Sequence, residues 1–172
     1  MVQQAYQQIQ TEERLIPPTA PGEWTLNQIT AALSRPLPRS ILQQRRQGGT
    51  TIDYLPWYEA NRILDKYCPG WTWEIRQIVT TGDRLFLTGR LTIPTAEGTV
   101  YREATGTELL KEEKAIWVGD PDHRQMLKDE YDRPVTEPKE LAYGDPSSNA
   151  ESMAFRRAAA RFGLGLYLYD RD

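Results

Sequence analysis

The chain has 172 residues, 39% of them hydrophobic and 26% charged, with a formal net charge of −3. This is the composition of an ordinary soluble globule, long enough for one domain with a real core and too short for a second full one. Averaged over the chain, the slight acidity speaks against a nucleic-acid binder, yet electrostatic recognition depends on where charges sit. One cysteine, Cys68, excludes an internal disulfide, and with the single His123 it cannot furnish a tetrahedral zinc site, so Cys68 is expected to be a reduced thiol in or near the core. No apolar run approaches the ~20 residues that span a bilayer, and Met1-Val2-Gln3-Gln4 lacks the start of a signal peptide. A cytoplasmic protein without membrane contact is expected.

Residues 1–23 are rich in Gln, Pro and Thr and contain the breakers Pro17-Pro18 and Pro21-Gly22, which predicts a mobile amino-terminal arm ahead of one domain over 24–172. Trp24 to Leu33 has helical spacing, with Leu26, Ile29 and Leu33 on one stripe. After a turn at Arg35-Pro36 and Pro38-Arg39, Ser40 to Arg46 reads as a helix ending in Gln47-Gly48-Gly49. Tyr54-Leu55-Pro56 leads into a helix from Trp57 to Tyr67, stopped by Pro69-Gly70. Three strand-like runs follow, Trp71 to Thr80, Arg84 to Ile93 and Thr99 to Thr107. Trp71, Trp73 and Ile75 alternate, as do Leu85, Leu87, Leu91 and Ile93. The segment 109–145 is charged, interrupted by prolines and without clear periodicity, and reads as a functional excursion or a flexible loop.

The last element is the most informative. Ser148 and Glu151 have the spacing of a capping box, and Gly163 stands where a left-handed stop is easiest, which predicts a helix between them. At about 100° per residue, Ala154, Phe155, Ala158, Ala159 and Phe162 share one face and Arg156, Arg157 and Arg161 the other. The fold class is therefore α+β: a three-stranded antiparallel β-meander packed against a long C-terminal helix, β-β-β-α, with helices before it.

Charge is segregated along this plan. No acidic residue follows Glu151 until Asp170, and none lies between Trp24 and Ile52, where Arg35, Arg39, Arg45 and Arg46 fall. Glu108 to Asp145 holds eleven Asp and Glu against six Lys and Arg. The arginine face suits a polyanion or simply solvent, and the two basic segments matter together only if folding joins them. Tyr54, Trp57, Trp71, Trp73, Phe86 and Tyr101 lie among basic positions, as stacking platforms for a single strand would. The alternation of Trp71 and Trp73 assigns those two to the core instead.

Material for catalysis is thin. There is no Gly-Lys dipeptide, so the Walker A loop and nucleotide hydrolysis by that route are excluded, and no Gly-x-Ser-x-Gly elbow occurs. His123 stands in a polar loop, where exposure is the ordinary state. Glu112, Glu113, Asp120 and Asp122 are the acidic residues available to a Mg²⁺-dependent nuclease. A protein that is not an enzyme, with no cofactor and no resident metal, is expected.

Four pieces in order resemble the Rad-fifty-two family of single-strand annealing proteins, including its bacterial DNA-damage-response branch. They are Arg45-Arg46-Gln47-Gly48-Gly49; Tyr54-Leu55-Pro56-Trp57 with the later Gly70-Trp71; Gly106-Thr107 with Leu110-Lys111 and Lys114-Ala115; and Phe155-Arg156-Arg157-Ala158 through Phe162-Gly163. The resemblance covers roughly 38–172. It implies a homo-oligomeric ring with single-stranded DNA in a basic groove, phosphates falling on Arg45 or Arg46 and on Arg156 and Arg157. Arg161 would serve from the position after the family's basic one, here Ala160, and a second, outer DNA site would map to Arg84 and Lys111. The excursion at 109–145 is longer and more acidic than the family's connection, and with the chain ending at Asp172 no recombinase-recruiting tail is expected.

The reading implied is ATP-independent annealing of complementary strands in double-strand break repair by homologous recombination. A DNA-end protector without annealing activity, the metal-dependent nuclease, and a purely structural oligomer held by arginine salt bridges are the alternatives.

Overall fold

The computed structural model describes residues 16–47, 49–140 and 145–170. Its elements run α1 (Leu26–Leu33), a 3-10 turn (Arg39–Ile41), β1 (Gln43–Gln47), β2 (Thr50–Tyr54), α2 (Trp57–Tyr67), β3 (Thr72–Thr80), β4 (Arg84–Thr95) and β5 (Gly98–Leu109). There follow β6 (Lys111–Ala115), β7 (Trp117–Val118), β8 (Gln125–Met126), β9 (Thr136–Glu140), α3 (Pro146–Ala160) and a second 3-10 turn (Leu166–Tyr169). Among the described residues no helix is long and apolar enough to cross a membrane.

The alternation in the central run does what a period of two requires. β3, β4 and β5 form an antiparallel sheet in that order, with Leu91 opposite both Trp73 and Arg102. Leu85, Leu87, Leu91 and Ile93 point to one face and are buried, whereas Phe86 and Tyr101 point to the other and are exposed. α3 lies across the buried face, over β4 and β5. Its contact residues Ala150, Ala154, Ala158 and Ala159 are small and buried, so helix and sheet backbones come close. The approach is closest at Gly106, where a Cβ would collide with the Ala150 carbonyl. Ile29 and Leu33 of α1 and Leu64 of α2 join Leu91, Ile93, Phe155 and Phe162 in one core cluster. Each such fully buried side chain contributes about 1.5–3 kcal/mol.

Three expectations are revised. Ser40 to Arg46 is not a helix: beyond the 3-10 turn the chain extends into β1, which pairs antiparallel with β2 from Gln43↔Tyr54 to Gln47↔Thr50. Gln-Gln-Arg-Arg-Gln has no apolar stripe to hold a helix on the core, while the β-branched Thr50, Thr51 and Ile52 opposite favour a strand. The cap of α3 is Asp145, not Ser148: its carboxylate accepts from the backbone N–H of Ser147 at 3.0 Å and of Ser148 at 3.2 Å, with Pro146 opening the helix. Glu151 is thereby released from capping and accepts a hydrogen bond from Trp73 Nε1 at 3.0 Å. Gly163, at φ +107°, supplies the left-handed residue just beyond the end.

The third revision concerns the excursion, whose described part is an antiparallel arm rather than a loop. β6 pairs with β9, β7 with β8, and Lys128 bridges Pro134. The register sets Lys111 opposite Glu140, Glu112 opposite Lys139 and Lys114 opposite Glu137, so opposite charges match along the ladder. Of the stretch read as an amino-terminal arm, residues 1–15 lie outside the described residues. In the remainder, Glu23 gathers the N–H groups of Thr19 at 2.6 Å and Ala20 at 3.1 Å, and Pro18 is buried.

Candidate nucleic-acid interface

The β1–β2 hairpin carries Arg45 and Tyr54 to the carboxyl-terminal half of α3. Arg45 lies opposite Ile52, and its guanidinium stands 5.7 Å from the centre of the Tyr54 ring. The Arg156 guanidinium stands 5.2 Å from the same ring. One tyrosine therefore gathers two cations from segments more than a hundred residues apart, each held by the attraction of charge to a π-face. Tyr54 is itself fixed by donating its hydroxyl hydrogen to Gln43 Oε1 at 2.7 Å.

Arg156 and Arg157 bond to backbone carbonyls rather than to carboxylates. Arg156 donates to Ser152 O at 3.1 Å and Leu55 O at 3.4 Å, and Arg157 donates to Thr105 O at 2.9 Å. These bonds aim the planar forks without neutralising them. Burial, reinforced by the like charges of Arg45 and Arg157, pulls Arg156 below its ordinary value, while Tyr169 and Tyr54 act the other way. A guanidinium stays charged even so. The cost of gathering like charges in a half-buried place would be relieved by a bound anion.

These groups line a cavity of about 190 Å³ whose wall includes Arg45, Tyr54, Met153, Arg156, Arg157 and Tyr169. Asp53 also reaches it, with its carboxylate held by Gln44 Nε2 at 2.9 Å. The arrangement can grip phosphate oxygens through bidentate, charge-assisted hydrogen bonds.

Of the residues proposed from sequence, Arg45, Arg156 and Arg157 are brought together. Arg46 leaves β1 on the opposite side from Arg45, because successive strand residues alternate, and it takes no part in the cavity wall. Arg161 is the exposed C-cap of α3 and is also outside that wall. Arg84 and Lys111 both lie at one end of the meander, since Arg84 pairs with Leu109 and Lys111 begins the next strand. The corner is closed by the bond from Leu110 N to Asp83 O at 2.7 Å.

The aromatic residues separate as alternation requires. Trp71 and Trp73 pack on Phe155 with ring centres 5.7 and 5.1 Å apart, whereas Trp57 remains 50% exposed. Tyr169 escaped sequence reading because it acts through the chain's return past α3, for which periodicity gives no signal. Cys68 is buried, and burial pushes its thiol up to about 12, so it stays protonated at neutral pH. Glu112 and Glu113 leave β6 on opposite faces, and Asp120 and Asp122 lie in the turn between β7 and β8. Among the described residues no group of three or more His, Cys, Asp and Glu is placed to hold a metal ion.

No family model matches the chain. It is 32% identical over 157 residues to "DNA repair RAD52-like protein 1, mitochondrial" of Arabidopsis thaliana, an alignment covering 90% of this chain and 73% of that protein. It is 34% identical over 148 residues to "DNA repair RAD52-like protein 2, chloroplastic" of the same plant, covering 84% of this chain and 60% of that protein.

Proposed function

Since the chain belongs to the RAD52 family, we propose that it is a DNA repair protein that binds single-stranded DNA and anneals complementary strands without ATP, in recombination at double-strand breaks. The observation that carries this reading is the convergence of Arg45 with Arg156 and Arg157 around Tyr54. Three guanidiniums contact phosphates, neutralise part of the backbone charge and hold the strand with most bases outward. A second strand then approaches against reduced repulsion and searches for register. The protein makes and breaks no bond in this scheme.

Three arginines bind a strand weakly. A closed homo-oligomeric ring multiplies them, since each further protomer engages the same strand at high effective concentration. The outer pair Arg84 and Lys111, at the far end of the meander, serves the incoming strand or duplex.

The test is binding of a fluorescent single strand over a range of salt, with an Arg156→Ala, Arg157→Ala variant beside the parent, followed by annealing of complementary oligonucleotides. Tight parental binding that falls steeply with salt and is lost in a variant of unchanged oligomeric size supports the reading. Dissociation of the oligomer in the variant, with no parental binding, assigns the arginines to subunit salt bridges instead. Binding without acceleration of annealing leaves a protector of DNA ends.

A further inference from the structure

A second cavity, of about 250 Å³, lies one turn nearer the start of α3, walled by Trp57, Trp71, Trp73 and Phe155 with Asn61, Glu151 and Ser152. Two of its indoles are pinned by hydrogen bonds. The Trp73 ring lies over Gly89, where a Cβ would displace it, and its Nε1 donates to Glu151 Oε1 at 3.0 Å. Trp71 donates its Nε1 to Asp65 Oδ1 at 2.8 Å. Trp57, half exposed, stands at the mouth with its indole against the edge of Tyr58. The pocket presents three indoles, a phenyl ring, an amide, two serines, and a carboxylate whose hydrogen bond comes from a neutral indole and not from a cation.

This cavity adjoins the arginine groove. Ser152, in its wall, accepts from Arg156 Nε at 3.1 Å, and Leu55, two residues before Trp57, accepts from Arg156 Nη1 at 3.4 Å. A phosphate on Arg156 is thus beside the pocket wall, so that a base of the same strand can enter the pocket. An aromatic slot with a carboxylate suits either a cation or a base bearing an amino group. Arg156, bonded to Ser152 O of the wall, favours an occupant that carries a phosphate beside its base over a bare cation.

We propose that the pocket takes one nucleobase per protomer, cytosine or adenine, stacked against Trp57 with its exocyclic amino group donating to Glu151. The proposal rests on the single-strand reading above and goes beyond it, because a groove of arginines alone does not tell bases apart. An ionised carboxylate only accepts, so it pairs with the amino group of cytosine or adenine and is repelled by the carbonyl oxygen that thymine presents on the same edge. The captured base anchors the strand while the remaining bases stay available for pairing.

The experiment compares oligodeoxycytidylate, oligothymidylate and an abasic strand of equal length, bound to the full chain and to Trp57→Ala and Glu151→Gln. The parent is expected to hold oligodeoxycytidylate more tightly than oligothymidylate. Trp57→Ala should weaken oligodeoxycytidylate binding by about five- to 150-fold, the range of one lost base stack, and leave abasic binding unchanged. Glu151→Gln, which can both donate and accept, should erase the preference between the two bases. Equal parental affinity for the two oligomers, or a Trp57→Ala loss of the same size on the abasic strand, overturns the pocket while leaving the groove standing. Failure of the parent to bind any strand overturns both. Quenching of indole fluorescence by N-acetylarginine amide but not by deoxycytidine monophosphate overturns it in favour of a partner's cationic side chain.

Discussion

Arg45 and Arg46 are adjacent in sequence and identical in chemistry, yet the strand separates them, and this makes them the sharpest test of the groove. Arg45 faces Tyr54 and the cavity shared with Arg156 and Arg157, and Arg46 leaves the other side of β1. Each phosphate contact on a single strand contributes about −0.7 to the slope of log affinity against log salt. Three contacts per protomer give about −2.1 and two give about −1.4, so Arg45→Gln should lower the slope to about two-thirds of the parent's. That ratio holds whatever number of protomers engages the strand. Between 50 and 200 mM salt, the contribution of one protomer then falls about 18-fold in the parent and about 7-fold in the variant. Arg46→Gln should leave the slope near the parental value. Fluorescence anisotropy titrations of a labelled strand at four or more salt concentrations measure both slopes. Equal slope changes for the two variants, or a larger one for Arg46→Gln, would falsify the placement of the groove between β1 and α3.

Three further outcomes are expected. Phe155, buried beneath Trp71 and Trp73, holds α3 on the sheet, so Phe155→Ala should cost about 3–5 kcal/mol in urea unfolding, and a cost below 1 kcal/mol would contradict the packing. Asp145 is held low by the Ser147 hydroxyl and then by the Ser148 and Ser147 N–H groups, so its folded value lies below its unfolded one. The cap's contribution is therefore present above the ordinary carboxylate range and lost as pH falls through the depressed value. Because Glu23, Glu97 and Asp129 are also held low, Asp145→Asn should soften the acid decline of the melting temperature without abolishing it, and an unchanged decline counts against the cap. Cys68, protonated and buried, should react with an aromatic disulfide reagent only on unfolding, so rapid labelling of the native protein would contradict its place in the core.

The elements legible in the sequence are those where periodicity and punctuation coincide. Trp57 to Tyr67 is bounded by prolines, and Leu85, Leu87, Leu91 and Ile93 alternate within one run; both signals are local to their own segment, and both elements form as read. β1 and the arm carry their information across the chain. Gln43 to Gln47 becomes a strand through β2, and β6 and β9 match Glu112 with Lys139 and Lys114 with Glu137, a pattern of charge between strands that no hydrophobic period within one strand displays.

The same distinction governs the candidate site. The arginines were visible as segregated charge, but which of them converge depends on the backbone that carries them. On a helix, Arg45 and Arg46 would stand about 100° apart and could both lean toward one phosphate track; on a strand they stand opposed. The pairing of Arg45 with Ile52 therefore turns a diffuse basic segment into a choice of one residue. Tyr54 enforces that choice, because the ring that meets Arg45 at 5.7 Å also meets Arg156 at 5.2 Å. Losing that ring should loosen both cations together: Tyr54→Leu keeps every positive charge, so a fall in affinity with little change in salt slope would identify alignment, rather than charge alone, as what the hairpin adds to α3.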